Sequence, residues 1–185
     1  MRKALVTSSM LFGLMLTASI VLLCSTLVAQ AGVGTVTKTQ GTTSPGQGGS
    51  VNMGDRLTTG KGARMVVTFS DGSTMTLGEN ATVVVDKFVY DPNKSSAAVA
   101  VSVSKGALQF AGGKIEKMKK KDVAVKTPYA AMAVRGTHFW TGKVDGKHGV
   151  LLLNGRVDVK NKQRKVVLNK PNYGVDIETP RKRRH

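Results

Sequence analysis

From Gly32 onward the chain runs in short segments rich in Val, Thr, Leu and Phe, separated by Gly, Asn and Asp, and a helical period is almost absent. Alternate residues of a strand face opposite ways, so a period of two describes strands with one face buried and the other wet. In the segment 64–69, Met65, Val67 and Phe69 share one face, and Asp71-Gly72 then turns the chain into 73–77. Asp-Gly suits a type I′ hairpin, which requires positive φ at both central positions. The segments 150–153 and 156–159 flank Asn154-Gly155 in the same way, which predicts a second tight hairpin. Further strands are expected at 82–88, 97–104, 107–110, 123–126, 131–144, 165–168 and 174–177. The Gly-, Ser- and Pro-containing stretch 41–50 reads as a loop. The stretch 112–122 reads either as one helical turn, with Ile115 and Met118 three apart, or as a charged hairpin loop.

This pattern specifies an all-β fold class: a single domain of many short strands, built as a sandwich, a barrel or a solenoid, with a curved, partly solenoid-like β-sandwich preferred. A length of 185 residues holds one such domain and a targeting segment, not two substantial domains. The expected organisation is a signal peptide at 1–31, a β domain at 32–175 and a basic C-terminal tail at 176–185.

The signal reading rests on Arg2 and Lys3, the uncharged apolar stretch from Ala4 to Val28, and the small-x-small site Ala29-Gln30-Ala31. Cleavage near Ala31 would make the protein periplasmic or secreted. The alternative is an uncleaved segment anchoring it in the inner membrane, since about 20 apolar residues span a bilayer. The only cysteine, Cys24, lies inside this apolar run behind Val21-Leu22-Leu23, without the small residue that precedes a lipid-bearing cysteine. The β domain therefore has no disulfide and no thiol nucleophile.

The 28 Lys and Arg residues against 11 Asp and Glu give a net charge of +17, and removing residues 1–31 takes only Arg2 and Lys3 from it. Such a field draws polyanions. The cations concentrate in three clusters: Lys114, Lys117, Lys119, Lys120 and Lys121; Lys160, Lys162, Arg164 and Lys165; and Arg181, Lys182, Arg183 and Arg184. Their candidate role is electrostatic binding to an anionic envelope polymer such as peptidoglycan or lipopolysaccharide, or peripheral contact with a membrane. Nucleic acid is disfavoured, because an exported chain with one Trp, three Tyr and five Phe offers little for base stacking.

Several segments, in order, resemble the FecR domain of bacterial envelope proteins. Met53-Gly54-Asp55-Arg56-Leu57-Thr58-Thr59-Gly60 is similar to the family's opening segment. Phe69-Ser70-Asp71-Gly72-Ser73 is similar to its hairpin, and the stretch from Val125 to Phe139 to its "V-x-T-P-x-A-x-x-x-V-R-G-T-x-F" signature. Val157-Asp158-Val159 resembles the closing strand. The resemblance covers roughly 32–173 and implies that Thr127, Pro128, Arg135, Gly136, Thr137 and Phe139 are structural. Pro128 keeps Thr127 extended, Gly136 allows a kink that a β-branched residue would strain, and Arg135 would bind strand or loop carbonyls. Anti-sigma members carry a cytoplasmic helical region ahead of their membrane span. Only three residues precede the apolar run here, so direct sigma-factor control is not expected.

Chemistry-bearing patterns are missing. His138, His148 and His185 lack paired spacing or neighbouring carboxylates, so no metal site is expected. No nucleophile elbow, phosphate loop or dinucleotide fingerprint is present, and no cofactor or enzymatic activity is expected. Phe139 and Trp140 point to opposite faces of one strand, Phe139 to the core. Trp140 is left to cap a sugar, meet a partner protein or simply pack. The expected function is a non-catalytic, exported interaction or signalling module that binds an envelope protein. The alternative is a structural envelope protein held by charge.

Overall fold

The computed structural model of the chain describes residues 32–177. The expected signal peptide at 1–31 and the cluster Arg181, Lys182, Arg183 and Arg184 lie outside the described residues. Within them the chain forms a 14-stranded sheet. In chain order the strands are β1 (Gly34–Gln40), β2 (Thr43–Ser44), β3 (Ser50–Val51), β4 (Arg56–Thr59), β5 (Arg64–Phe69), β6 (Thr74–Leu77) and β7 (Thr82–Asp91). There follow β8 (Ser96–Lys105), β9 (Leu108–Ala111), β10 (Lys120–Lys126), β11 (Ala131–Val144), β12 (Lys147–Lys160), β13 (Lys165–Leu168) and β14 (Tyr173–Ile177). The segment between β9 and β10 holds a single 3-10 turn at Lys114–Lys117.

The long β11–β12 pair organises everything else. On one edge of β11, its first half pairs with β10 and its second half with β9. On the far edge of β12, the two halves pair with β13 and β14. Two wings result. One runs β2-β4-β7-β8-β10 into the first half of β11, and the other runs β3-β1-β5-β6-β9 into its second half. The wings lie face to face: Phe69 of β5 and Phe88 of β7 are six hydrogen-bonded steps apart along the sheet, yet their rings stack at 4.9 Å. This is a curved sandwich whose corner strands pass from one layer to the other. Among the described pairings, β8 with β10 is parallel and the rest are antiparallel.

The corner has a definite construction. Buried side chains in β11 fall at Met132 and Val134, then at Phe139 and Thr141; in β12 they fall at Val150 and Leu152, then at Val157 and Val159. Each strand thus changes the parity of its buried residues once, where the register shifts between Arg135 and Phe139 opposite Asn154. A bulge does this by adding a residue that bends and twists the strand. Gly136 (φ +90°) and Gly155 (φ +92°) face one another there, and a Cβ on Gly136 would stand 2.9 Å from the Gly155 Cα. The expected hairpin at Asn154-Gly155 is therefore replaced by an uninterrupted β12. The tight hairpin lies instead at Asp145-Gly146, where φ values of +49° and +81° suit a type I′ turn.

The β5–β6 hairpin forms as expected, but not with a type I′ turn. Of the pair Asp71-Gly72 only Gly72 has positive φ, and Gly72 N–H bonds to the Phe69 carbonyl at 2.9 Å. This is a type I turn closed by a glycine bulge. Its geometry aims the Asp71 side chain into the protein, where it is fully buried.

Candidate functional site

The segments that carry the family resemblance hold the fold together. Asp55 Oδ2 accepts from the Asn52 backbone N–H at 2.7 Å, and Thr59 Oγ1 accepts from Ala81 N–H while donating to the Gly78 carbonyl. Asp71 Oδ1 accepts from Ser73 N–H at 3.0 Å, and its Oδ2 takes the Ser73 hydroxyl at 2.6 Å and Ile115 N–H at 3.1 Å. Ser73 Oγ in turn accepts from Gly113 N–H. The "D-G-S" hairpin is thus a clasp on the 3-10 turn 44 residues away, and it seats Ile115 in the core.

The signature folds around a four-residue turn between β10 and β11. Thr127 Oγ1 accepts from Ala130 N–H at 3.0 Å and donates to the Ala130 carbonyl, which also receives Thr127 N–H at 2.8 Å. Such a hydroxyl replaces part of a backbone turn, and Pro128 sits exposed at its tip. Phe139 is fully buried, its ring 6.2 Å from that of Phe110. Thr137 lies within the bent part of β11. Arg135 is exposed and stands opposite Arg156 across the β11–β12 pair. Among the described residues its guanidinium meets no strand or loop carbonyl.

Beside this turn lies a cavity of about 150 Å³ lined by Thr127, Tyr129, Thr141, His148 and Ile177 among others. The Tyr129 and His148 rings stack at 3.8 Å. Burial lowers the His148 pKa below its usual value, and the nearby Lys143 charge adds to the shift. Among the described residues no carboxylate borders the cavity. Among the described residues no group of three His, Cys, Asp or Glu side chains could hold a metal ion.

The two basic clusters within the described residues are exposed and stand apart. Lys114, Lys117 and Lys119 surround the 3-10 turn, and Lys120 and Lys121 begin β10. The Lys121 ammonium reaches back to the Glu116 carbonyl. Lys160, Lys162, Arg164 and Lys165 flank the β12–β13 connection, level with the opposite end of β10, about 20 Å away at ~3.3 Å per residue. Arg164 braces the sheet, donating to the Asp176 carbonyl at 2.7 Å.

Strand pairing recruits cations that local sequence does not mark. Lys126, Ala131, Lys160 and Lys165 are successive cross-strand neighbours, so three lysines share one row on the outer face of the first wing. Arg135 and Arg156 lie two rows further on. Asp158, between them, accepts from Arg156 Nε at 2.9 Å and approaches Lys165 at 3.6 Å. The Arg156 hydrogen bond, with the charges of Arg156 and Lys165, lowers the Asp158 pKa below the usual carboxylate value.

The outer face of the other wing is different. A groove of about 710 Å³ runs over Trp140, Leu151, Leu153 and Val144, with Gly149 and Gly174 in its floor and Gln109 and Asp176 at its rim. Val144 is 56 % exposed. The six-membered ring of the indole lies over Gly142, in space that a Cβ at that position would need: Cζ2 is 2.6 Å from it.

With these features in place, the family assignment is direct. The FecR protein family model matches residues 55–158, from the first clasp through the corner to β12. The chain belongs to the FecR family. Among solved structures, this FecR chain is similar to a "putative anti-sigma factor" from Parabacteroides distasonis ATCC 8503, with 21% identity over 65% of this chain and a TM-score of 0.53. A second structure with the same description matches at 20% identity, again over 65% of this chain, with a TM-score of 0.49. The aligned part amounts to 53% of each of those chains, so the FecR chain spans about half their length. At 21% identity the first of these shows a common fold. No curated protein matches the chain. Among the described residues no helix is long and apolar enough to cross a membrane.

Proposed function

We propose that this FecR protein is an exported, non-catalytic interaction module of the bacterial cell envelope, which engages a partner through the outer face of its second wing. The observation that carries this reading is the open groove over Trp140, whose lining is mostly apolar, with Val144 exposed and Trp140, Leu151 and Leu153 half-buried. A concave, mostly apolar lining with a few polar groups is the usual form of a ligand site. The signal-like segment at 1–31 supports export, and the likeness to proteins described as anti-sigma factors supports a role in signalling with a protein partner. A photo-crosslinking residue at Val144 or Leu153, expressed in intact cells, should give a discrete adduct that the same residue at Glu79 does not. Identical smears at all three positions would overturn the reading.

A second reading, in which charge holds the protein to an anionic envelope polymer, is favoured by the shared row of Lys126, Lys160 and Lys165. It predicts co-sedimentation with isolated peptidoglycan or outer-membrane vesicles that weakens steeply as salt rises.

A further inference from the structure

The two outer faces of the sandwich divide the charge unequally. On the first wing the outer face carries Lys126, Arg135, Arg156, Lys160 and Lys165. On the second wing the row Val66, Thr76, Gln109, Trp140, Leu151 and Gly174 crosses six neighbouring strands without one charged residue. At ~4.8 Å per strand that row is about 24 Å long. The row beside it, Thr35, Thr68, Thr74, Ala111 and His138, is equally uncharged. Charge meets this patch at its ends: Lys38 of β1 pairs with Val66, and Asp176, which lines the groove, stands 3.8 Å from the Lys147 ammonium.

Its polar groups are hydroxyls, an amide, an imidazole and, at the rim, the Asp176 carboxylate. Thr37 and Thr68 hydroxyls meet at 3.1 Å at one end, and the Gln109 amide and His138 ring are hydrogen bonded at 2.7 Å beside Trp140. The indole is spread over Gly142 and is only partly covered, so it offers a flat aromatic surface in a shallow, glycine-floored groove. The groove volume of about 710 Å³ lies in the usual range for small-ligand sites.

We infer that this face binds an uncharged saccharide chain, with Trp140 stacking on a pyranose ring and Gln109 and the threonine rows meeting its hydroxyls. The charge match decides among occupants. A polyanion is drawn to the cationic wing, whereas a ligand seated on the neutral face gains from hydroxyl and C–H surface and needs no charge. A pyranose presents a C–H face to an aromatic ring and a ring of hydroxyls to amides and threonines, the two kinds of group arrayed here. This inference rests on the reading of the groove as a binding site and names its occupant.

Trp140 is the only tryptophan in the chain, so intrinsic fluorescence reports this site alone. Titration of the purified chain with cellotetraose and with chitotetraose should change its emission saturably for at least one of them. The midpoint should be the same at about 50 mM and about 500 mM salt, because the ligand carries no charge. Calorimetry on Trp140→Ala, with circular dichroism confirming the fold, should show affinity reduced by about tenfold or more, the scale of one aromatic contact. No emission change with either sugar, or a midpoint that moves with salt, would overturn the inference. Failure with both sugars alongside a crosslinked adduct from Val144 would remove the saccharide and leave the binding face. Failure of both experiments would remove both.

Discussion

The Asp71 carboxylate, fully buried, accepts the Ile115 backbone N–H at 3.1 Å and so fixes the 3-10 turn to the β5–β6 hairpin. Ile115 is itself fully buried, while the lysines around it are exposed. One acidic side chain thereby helps to decide where the first basic cluster stands, together with the Gly113 N–H bond to Ser73 Oγ and the Lys119 and Lys120 N–H bonds to Ser95. Lys114 N–H also bonds to the Asp71 carbonyl at 2.9 Å, so both the backbone and the side chain of Asp71 take part.

Asp71→Ala is accordingly expected to strip acceptors from two buried N–H groups at once, those of Ser73 and Ile115. At roughly 1–3 kcal/mol per buried group left unpaired, the loss should be about 3 kcal/mol. Urea denaturation checks it through a lowered midpoint. Asp71→Asn keeps an acceptor oxygen and should cost less, and an equal loss for both variants would count against the clasp.

At the corner, Gly136→Ala combines two penalties: a side chain at φ +90° and a Cβ 2.9 Å from the Gly155 Cα. Gly54 supplies a control, since it has φ +86° with no atom within 4 Å of an added Cβ. Backbone strain of this kind costs about 1–3 kcal/mol. Gly54→Ala should therefore lower stability by about 1 kcal/mol, and Gly136→Ala by clearly more. Thermal melts of the two variants separate strain from collision, and equal losses would show that the close approach of β11 and β12 does not matter.

Local alternation revealed most of this fold, and its failures have identifiable causes. Met65, Val67 and Phe69 share the buried face, as their spacing implies, and Phe139 and Trp140 do face opposite ways. Asn154-Gly155 misled because a two-residue hairpin and a bulge make the same local demand. Either one moves the buried set from Val150 and Leu152 to Val157 and Val159. The matching switch in β11, from Val134 to Phe139 around Gly136, is what distinguishes the bulge, and it lies in a different segment of the chain. The Asp71 clasp, the lysine row and the neutral face depend on partners many residues away. Their residues were in view, but their juxtaposition was not.

His148 gives the stability a pH dependence of known sign. Burial, then the Lys143 charge, lowers its pKa in the folded chain below the usual 6.5, so the unfolded chain binds the proton more readily. The stabilisation is complete above that usual value and is lost as pH falls through it toward the lower folded value. Denaturant midpoints measured on either side of pH 6.5 should drop toward acid. His148→Phe keeps a ring against Tyr129 and should flatten that part of the profile; an unchanged slope would assign the effect to other groups.

The cationic wing leads to a last expectation, which tests whether juxtaposition or mere number of charges matters. Lys126, Lys160 and Lys165 share one row, whereas Lys117, Lys119 and Lys120 lie about 20 Å away at the other end of β10. A lysine near an anionic lipid surface contributes about 1 kcal/mol, so neutralising three that touch the surface together costs about 3 kcal/mol. If the first wing lies flat on anionic vesicles, changing either triple to Gln should weaken co-sedimentation about equally. If the row is the contact, only Lys126→Gln, Lys160→Gln and Lys165→Gln together should do so, and the distant triple should leave binding almost unchanged. Asp158, engaged by Arg156 and Lys165, sets the expected ranking within the row. Lys165 is partly neutralised where it stands, so Lys126→Gln or Lys160→Gln alone should lower binding more than Lys165→Gln.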